Sequence, residues 1–276
     1  MRAVVTPSPE KTASMDNEQV ILRKEGAVAR IVLNNPARLN AISIAMWDRL
    51  DQILDDLAED RAVRVVVISG AGGKAFSSGA DISEFDRRHA DAAAVRTASA
   101  RDAAVCAKLE NLDRPTIAEI EGYCLGGAVA FALCCDLRIC SDDSRFGIPP
   151  AKLGHCYEPY SIERVMNAVG LANTREILFT ARQFSAQEAY EMGLANRVVP
   201  KDELSAYVRN YAETIAGNAP LTVRAVKRIT CELAKEPGAR DLALCDALVA
   251  ECYASEDHRA GRGAFMEKRK PVFLGR

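Results

Sequence analysis

The feature that most constrains this chain is a short, unbroken apolar run, Arg64-Val-Val-Val-Ile-Ser69, that stops at Gly70, Gly72 and Gly73. A strand with one face in water alternates apolar and polar residues. A strand without that alternation has to be covered on both faces, and in parallel sheets the cover is helical. Thr116 to Ile120 and Leu137 to Cys140 have the same character. Between such strands the period changes. Ser43 is placed to cap a helix whose apolar residues Ile44, Trp47, Leu50, Ile53, Leu54 and Leu57 recur at spacings of three and four, and Gly127 to Cys135 reads as a buried helix. β-Branched runs at Val20 to Leu22 and Val28 to Leu33, joined through Lys24-Glu25-Gly26, predict a hairpin at a sheet edge, which the chain leaves at Asn34-Asn35-Pro36. Strands alternating with helices make the fold class α/β.

The remaining segments carry weaker signals. Residues 1–17 lack periodicity and read as a loose leader. Residues 84–100, rich in Ala, Asp and Arg with poor patterning, predict a mobile flap, and 101–112 a helix. From Tyr160 onwards the pattern is almost entirely helical. Ser185-Ala-Gln-Glu188 forms a capping box, Gly193 ends its helix, and Pro200 and Pro220 mark later boundaries. These signals divide the chain into the leader (1–17), a core (18–200) and a C-terminal helical region (201–276) suited to an oligomer interface.

Composition excludes several classes of function. With 49% hydrophobic residues, 27% charged and a net charge of -2, the chain has no basic field for nucleic acid. It has no apolar stretch of the roughly 20 residues a membrane span needs and no signal-peptide core, so the expected location is the cytoplasm. The nine cysteines show no CxxC spacing and sit mostly in apolar runs, as buried reduced thiols do; the three histidines, His89, His155 and His258, are too dispersed for a ligand cluster, so no metal is expected.

Two glycine-containing turns follow strands: Phe76-Ser-Ser-Gly-Ala-Asp-Ile82 and Gly122-Tyr-Cys-Leu-Gly-Gly127. Each can present free backbone N–H groups, and a glycine pair at a helix start lets a ligand oxygen come close to the main chain. On adjacent strands the two turns can form an oxyanion hole, although turn formation and close packing alone also account for such glycines.

These turns belong to a longer ordered set. Asn35-Pro-Ala-Arg-Leu-Asn-Ala-Ile42, Lys74-Ala-Phe-Ser-Ser-Gly-Ala-Asp-Ile82, Gly122-Tyr-Cys-Leu-Gly-Gly127 with Cys135-Asp136, Ser185-Ala-Gln-Glu-Ala189 with Gly193-Leu-Ala-Asn-Arg-Val-Val199, and Phe265-Met-Glu-Lys-Arg-Lys270 together resemble the crotonase (enoyl-CoA hydratase/isomerase) family over roughly residues 20 to 274. The resemblance implies a spiral of repeated β-β-α units with a C-terminal helical trimerisation region, giving a homotrimer or hexamer. It implies an acyl-CoA substrate and no separate cofactor, coenzyme A entering as part of the thioester. It makes the N–H groups of Ala80 and Gly127 the oxyanion hole. Arg38, Leu39 and Ala41 then lie along coenzyme A, Ala80, Asp81 and Ile82 line the thioester end, Tyr123, Leu125 and Gly126 join the binding surface, and Lys268 helps a neighbouring subunit bind phosphates.

The catalytic carboxylates depart from the hydratase pattern. Ala130 and Pro150 occupy the two hydratase glutamate positions, and neither can move a proton. Hydration needs a base for water and an acid for the α-carbon, so ordinary hydratase chemistry is not expected. In Gly154-His-Cys-Tyr-Glu158 the carboxylate stands where the resemblance puts the acid of enoyl-CoA and dienoyl-CoA isomerases and aromatic acyl-CoA dehalogenases. One carboxylate in an apolar pocket can shuttle a proton between C2 and C4 of a 3-enoyl thioester if the hole stabilises the dienolate. The first reading is therefore an isomerase with Glu158 as acid and base. Hydratase-like addition, decarboxylation or hydrolysis, with His155 or Cys156 in supporting roles, is the alternative, and a non-catalytic acyl-CoA binder a third; Glu158 as a plain helix cap is the simpler account of that residue. Tyr123 and Tyr160 read as wall-lining side chains.

Overall fold

The computed structural model describes residues 18–84 and 90–276; the leader of 1–17 and residues 85–89 of the expected flap lie outside the described residues. Two strands, β1 (Val20–Glu25) and β2 (Val28–Leu33), form an antiparallel hairpin whose register pairs Glu25 with Val28. Lys24 and Glu25 thus belong to β1, and the turn is Gly26-Ala27. Helix α1 (Ile44–Glu59) follows, with Ser43 Oγ accepting from Met46 N at 3.2 Å. It buries Met46, Trp47, Leu50, Ile53, Leu54 and Leu57, so Met46 takes the place expected for the half-buried Ile44.

The next units repeat one plan. β3 (Val65–Gly70) and β4 (Ala75–Ser77) precede α2 (Ala92–Glu110); β5 (Thr116–Ile120) and β6 (Tyr123–Leu125) precede α3 (Gly127–Ala132); β7 (Leu137–Ser141) and β8 (Arg145–Gly147) precede α4 (Pro150–Leu153) and α5 (Pro159–Thr180). The first strand of each pair joins one sheet and the second joins another. With β9 (Phe184–Ser185) and β10 (Arg197–Val199), the sheets run β1-β2-β3-β5-β7-β10 and β4-β6-β8-β9. All neighbours after β2 in the larger sheet are parallel. This is the expected α/β spiral of β-β-α units.

Strand β3 explains its own lack of alternation. Val66 and Ile68 enter the main core with α1, whereas Val65 and Val67 pack on the opposite face with Ile117, Ile139 and the helix α7 (Leu204–Ala216) through Leu204, Val208 and Ala212. Each face therefore has an apolar cover, and every β-branched side chain of the run is buried.

Three expectations are corrected. Residues 92–100 are helical, because Asp91 caps α2 by accepting from Ala93 N and Ala94 N at 2.8 Å and the alanine-rich run has high helix propensity. The helix after Gly127 stops at Ala132, not Cys135. The half beyond Tyr160 contains β9 and β10 as well as helices, strands too short to show a period. The capping box is present in α6 (Ala186–Met192), followed at the C-terminal end by α8 (Pro220–Leu233), α9 (Leu242–Ala254) and α10 (Glu256–Met266). A part-buried ion pair fixes α8 to the core: the buried Lys227 Nζ donates to Asp136 Oδ2 at 2.9 Å and to Arg114 O at 3.0 Å. No helix among the described residues is long and apolar enough to cross a membrane.

Candidate active site

The corner at 35–42 builds the first wall of the site. Leu39 and Asn40 both have left-handed backbones, at φ 51° and 55°, which turns the chain sharply after the 3-10 turn Pro36–Arg38. Asn40 pins that corner: its Oδ1 accepts from Asn35 N at 2.9 Å, and its Nδ2 donates to Ala71 O and Ala75 O at 2.9 and 2.7 Å. Ile42, held in place by this corner, forms an isolated parallel bridge with Ala80. Ile42 N–H donates to Gly79 O at 2.7 Å and Asp81 N–H donates to Ile42 O at 3.2 Å. Both bonds use groups flanking Ala80, so the Ala80 N–H points away from the bridge.

Gly127 meets it there. It is the first residue of α3, where an N–H has no acceptor within the helix, and Gly126 is anchored by donating to Gly147 O at 2.8 Å. A Cβ on Gly127 would lie 4.0 Å from Ala80 N. Gly79 permits this approach: at φ +94° a Cβ would meet Leu125 O at 2.8 Å and Gly127 N at 3.0 Å, so a side chain would drive the turns apart.

These N–H groups face a cavity of about 370 Å³ whose other walls are α1, α2 and residues 149–161. Of the predicted residues, Ala80, Ile82, Gly126, Gly127 and Glu158 line it together, with Ala130 and Pro150. Arg38, Leu39, Ala41, Asp81, Tyr123, Leu125 and Lys268 do not line it. Arg38 donates to Asp81 Oδ2 at 2.8 Å and to Ser83 Oγ at 2.5 Å, bracing the corner against the Ala80 segment. Burial opposes the Asp81 charge, but hydrogen bonds from Ser83 and Arg38 outweigh it and hold the carboxyl below its ordinary range. Tyr123 and Lys268 are exposed, Lys268 beyond α10 with a left-handed backbone.

Glu158 differs from expectation in one respect. It is exposed at the cavity rim instead of buried, because the loop 154–158 that carries it is exposed apart from Tyr157, which packs on the core. It occupies the N-cap position of α5, yet its side chain makes no capping hydrogen bond; it turns across the cavity, where Ser99 Oγ of α2 donates to its Oε1 at 3.3 Å. Tyr160, a wall residue as expected, donates to Ser99 O at 3.3 Å.

Two features of the walls escaped the sequence reading. Asp102 projects from α2 into the cavity lining, one turn beyond Ala98 and Ser99; the spacing of three and four from Val95 was the available signal, read as poor patterning because this face lines a cavity and not the core. Tyr157 also lines the cavity. The cysteines divide: Cys106, Cys124, Cys134, Cys135, Cys140 and Cys245 are buried, whereas Cys156 and Cys231 are exposed. Among the described residues no group of three metal-ligating side chains exists.

Residues 23–276 match the family model described as enoyl-CoA hydratase/isomerase. The chain belongs to the enoyl-CoA hydratase/isomerase family. It is 34% identical over 261 residues to the short-chain-enoyl-CoA hydratase of Clostridium acetobutylicum, covering 93% of this chain and 97% of the relative. To the peroxisomal Delta(3,5)-Delta(2,4)-dienoyl-CoA isomerase of Arabidopsis thaliana it is 33% identical, covering 92% and 95%. The solved enoyl-CoA hydratase of Bacillus anthracis superposes with a TM-score of 0.87 at 31% identity, covering 94% of this chain and all of that one. Family members of both reaction types are thus similar to this chain over almost its full length.

Proposed function

We propose that this chain is an enoyl-CoA isomerase. The observation that carries the reading is the rotation of Glu158 away from its capping position and across the cavity that also holds the N–H groups of Ala80 and Gly127. The thioester oxygen accepts from those two groups, which lowers the cost of an enolate by about 3 kcal/mol per donor. Glu158 removes a proton from C2 of a 3-enoyl thioester, the charge spreads onto the thioester oxygen as a dienolate, and the same carboxyl returns the proton to C4. The product is the conjugated 2-enoyl thioester. No water is added, so Ala130 and Pro150 need replace no function. Coenzyme A lies outside the cavity along Arg38, Leu39 and Ala41, and no cofactor takes part.

A second reading rests on Asp102. With Glu158 it gives the cavity two carboxylates, and hydratase-like addition uses one to activate water and one to protonate carbon. The named hydratase relatives support this alternative.

The test is turnover of a short 3-enoyl-CoA, read by absorbance of the conjugated product, with 2-enoyl-CoA hydration run in parallel. Glu158→Gln should lower isomerisation by about 100-fold or more. Brisk hydration that requires Asp102 and leaves isomerisation absent favours the second reading; binding without either reaction favours decarboxylation, hydrolysis or a binding role.

A further inference from the structure

Tyr157 stands beside the turn that supplies the Gly127 N–H. A Cβ built on Gly126 would lie 3.6 Å from Tyr157 Oη and 3.7 Å from Ser78 O, and one on Gly127 would lie 4.0 Å from Ala80 N. The hydroxyl thus stands beside Gly126, and the Ala80 N–H beside the next residue of the same turn, Gly127. Gly126, at φ +61°, keeps the space between them free of side-chain atoms. The Tyr157 ring packs on the main core, which fixes where its hydroxyl sits. Among the described residues nothing shares a hydrogen bond with that hydroxyl. Tyr157 lines the cavity, so its hydroxyl is available to an acceptor that enters there. Burial pushes the phenol well above its ordinary range, so it stays protonated and acts as a donor.

We infer that Tyr157 is a third donor to the thioester oxygen, acting with the N–H groups of Ala80 and Gly127 on the enolate. This rests on the oxyanion-hole part of the proposed function and not on which carboxylate moves the proton. An enolate oxygen has lone-pair capacity for three donors, and a side-chain hydroxyl adds to the backbone pair a contact that strengthens as charge develops.

The experiment uses a 2,4-dienoyl-CoA, whose absorption moves to longer wavelength when the thioester carbonyl is polarised. Wild type should shift the bound spectrum, and Tyr157→Phe should shift it clearly less while its Kd stays within about threefold. In the isomerase assay Tyr157→Phe should lower kcat by about 10- to 100-fold with little change in KM. An unchanged spectral shift in Tyr157→Phe overturns the role of Tyr157 and leaves the hole intact. A wild type that binds the dienoyl-CoA with no shift overturns the hole itself, and this inference with it. Should Tyr157→Phe fold poorly, 3-fluorotyrosine at 157, a stronger donor of nearly the same shape, must enlarge the shift; a shift equal to or smaller than wild type overturns the inference.

Discussion

Asn40 concentrates the demands of the site in one side chain. It is fully buried, and it bonds a backbone N–H and two carbonyls of three separate segments. Asn40→Ala should cost about 3 kcal/mol, since it strands three polar groups and removes the clamp on the Ile42–Ala80 bridge. Urea unfolding checks this, as a lowered midpoint with an unchanged slope, and the spectral shift of a bound dienoyl thioester should shrink as the bridge loosens. Ala80 and Gly127 were legible because each sits in a local run whose glycines announce the turn. Glu158 was legible by position, though not its exposure. Asn40 and Tyr157 were not singled out, because the carbonyls that Asn40 binds lie 31 and 35 positions away and the glycine beside Tyr157 lies 31 away, separations no local window records; Asp102 was missed because its helix face lines a cavity.

Among the elements, α6 has the most complete local code. Ser185 Oγ accepts from Glu188 N at 3.2 Å, while Glu188 Oε2 accepts from Ser185 N at 2.8 Å. That backbone bond first, then Arg182 and the Ser185 hydroxyl, draw the Glu188 carboxyl down to about 2. A carboxyl lowered on folding contributes stability that is complete above its unfolded pKa and is lost as pH falls through the folded value. Ser185→Ala should therefore cost about 1 kcal/mol at neutral pH. Glu188→Gln should be less stable than wild type at neutral pH, the gap narrowing as pH falls from about 5 towards about 3; denaturation at several pH values measures both. Local chemistry made this helix readable, as it did α1. Helix α2 was half missed for a reason of packing: its cavity face carries Ser99 and Asp102 where a core face would be apolar, so amphipathic reading fails although propensity and the Asp91 cap succeed.

For the whole molecule, the α/β class followed from β3 and its sister strands, whereas the division of strands between two sheets depends on pairings 20 to 58 residues apart that no local period records. The C-terminal helices expose Val226, Leu233, Leu242, Val249, Tyr253, Phe265 and Met266. Such an apolar surface fits contact with further copies of the chain. Light scattering should give the mass of three or six chains, and a monomer at micromolar concentration would remove the homotrimer and hexamer from consideration.

The larger sheet has one more consequence, for biosynthesis. From β2 onwards its strand order follows the order of the sequence, each new strand adding beside the last, up to β10 at Arg197–Val199. A chain emerging from the ribosome therefore carries, besides the fixed edge at β1, an unpaired strand edge that moves outward as translation proceeds, from β3 to β5 to β7. The next strand arrives only after its intervening helix has been made. Throughout that interval the nascent protein offers an apolar, parallel-pairing edge to its neighbours, so crowded polysomes and slow codons before β10 act on this fold where it is most open to mispairing.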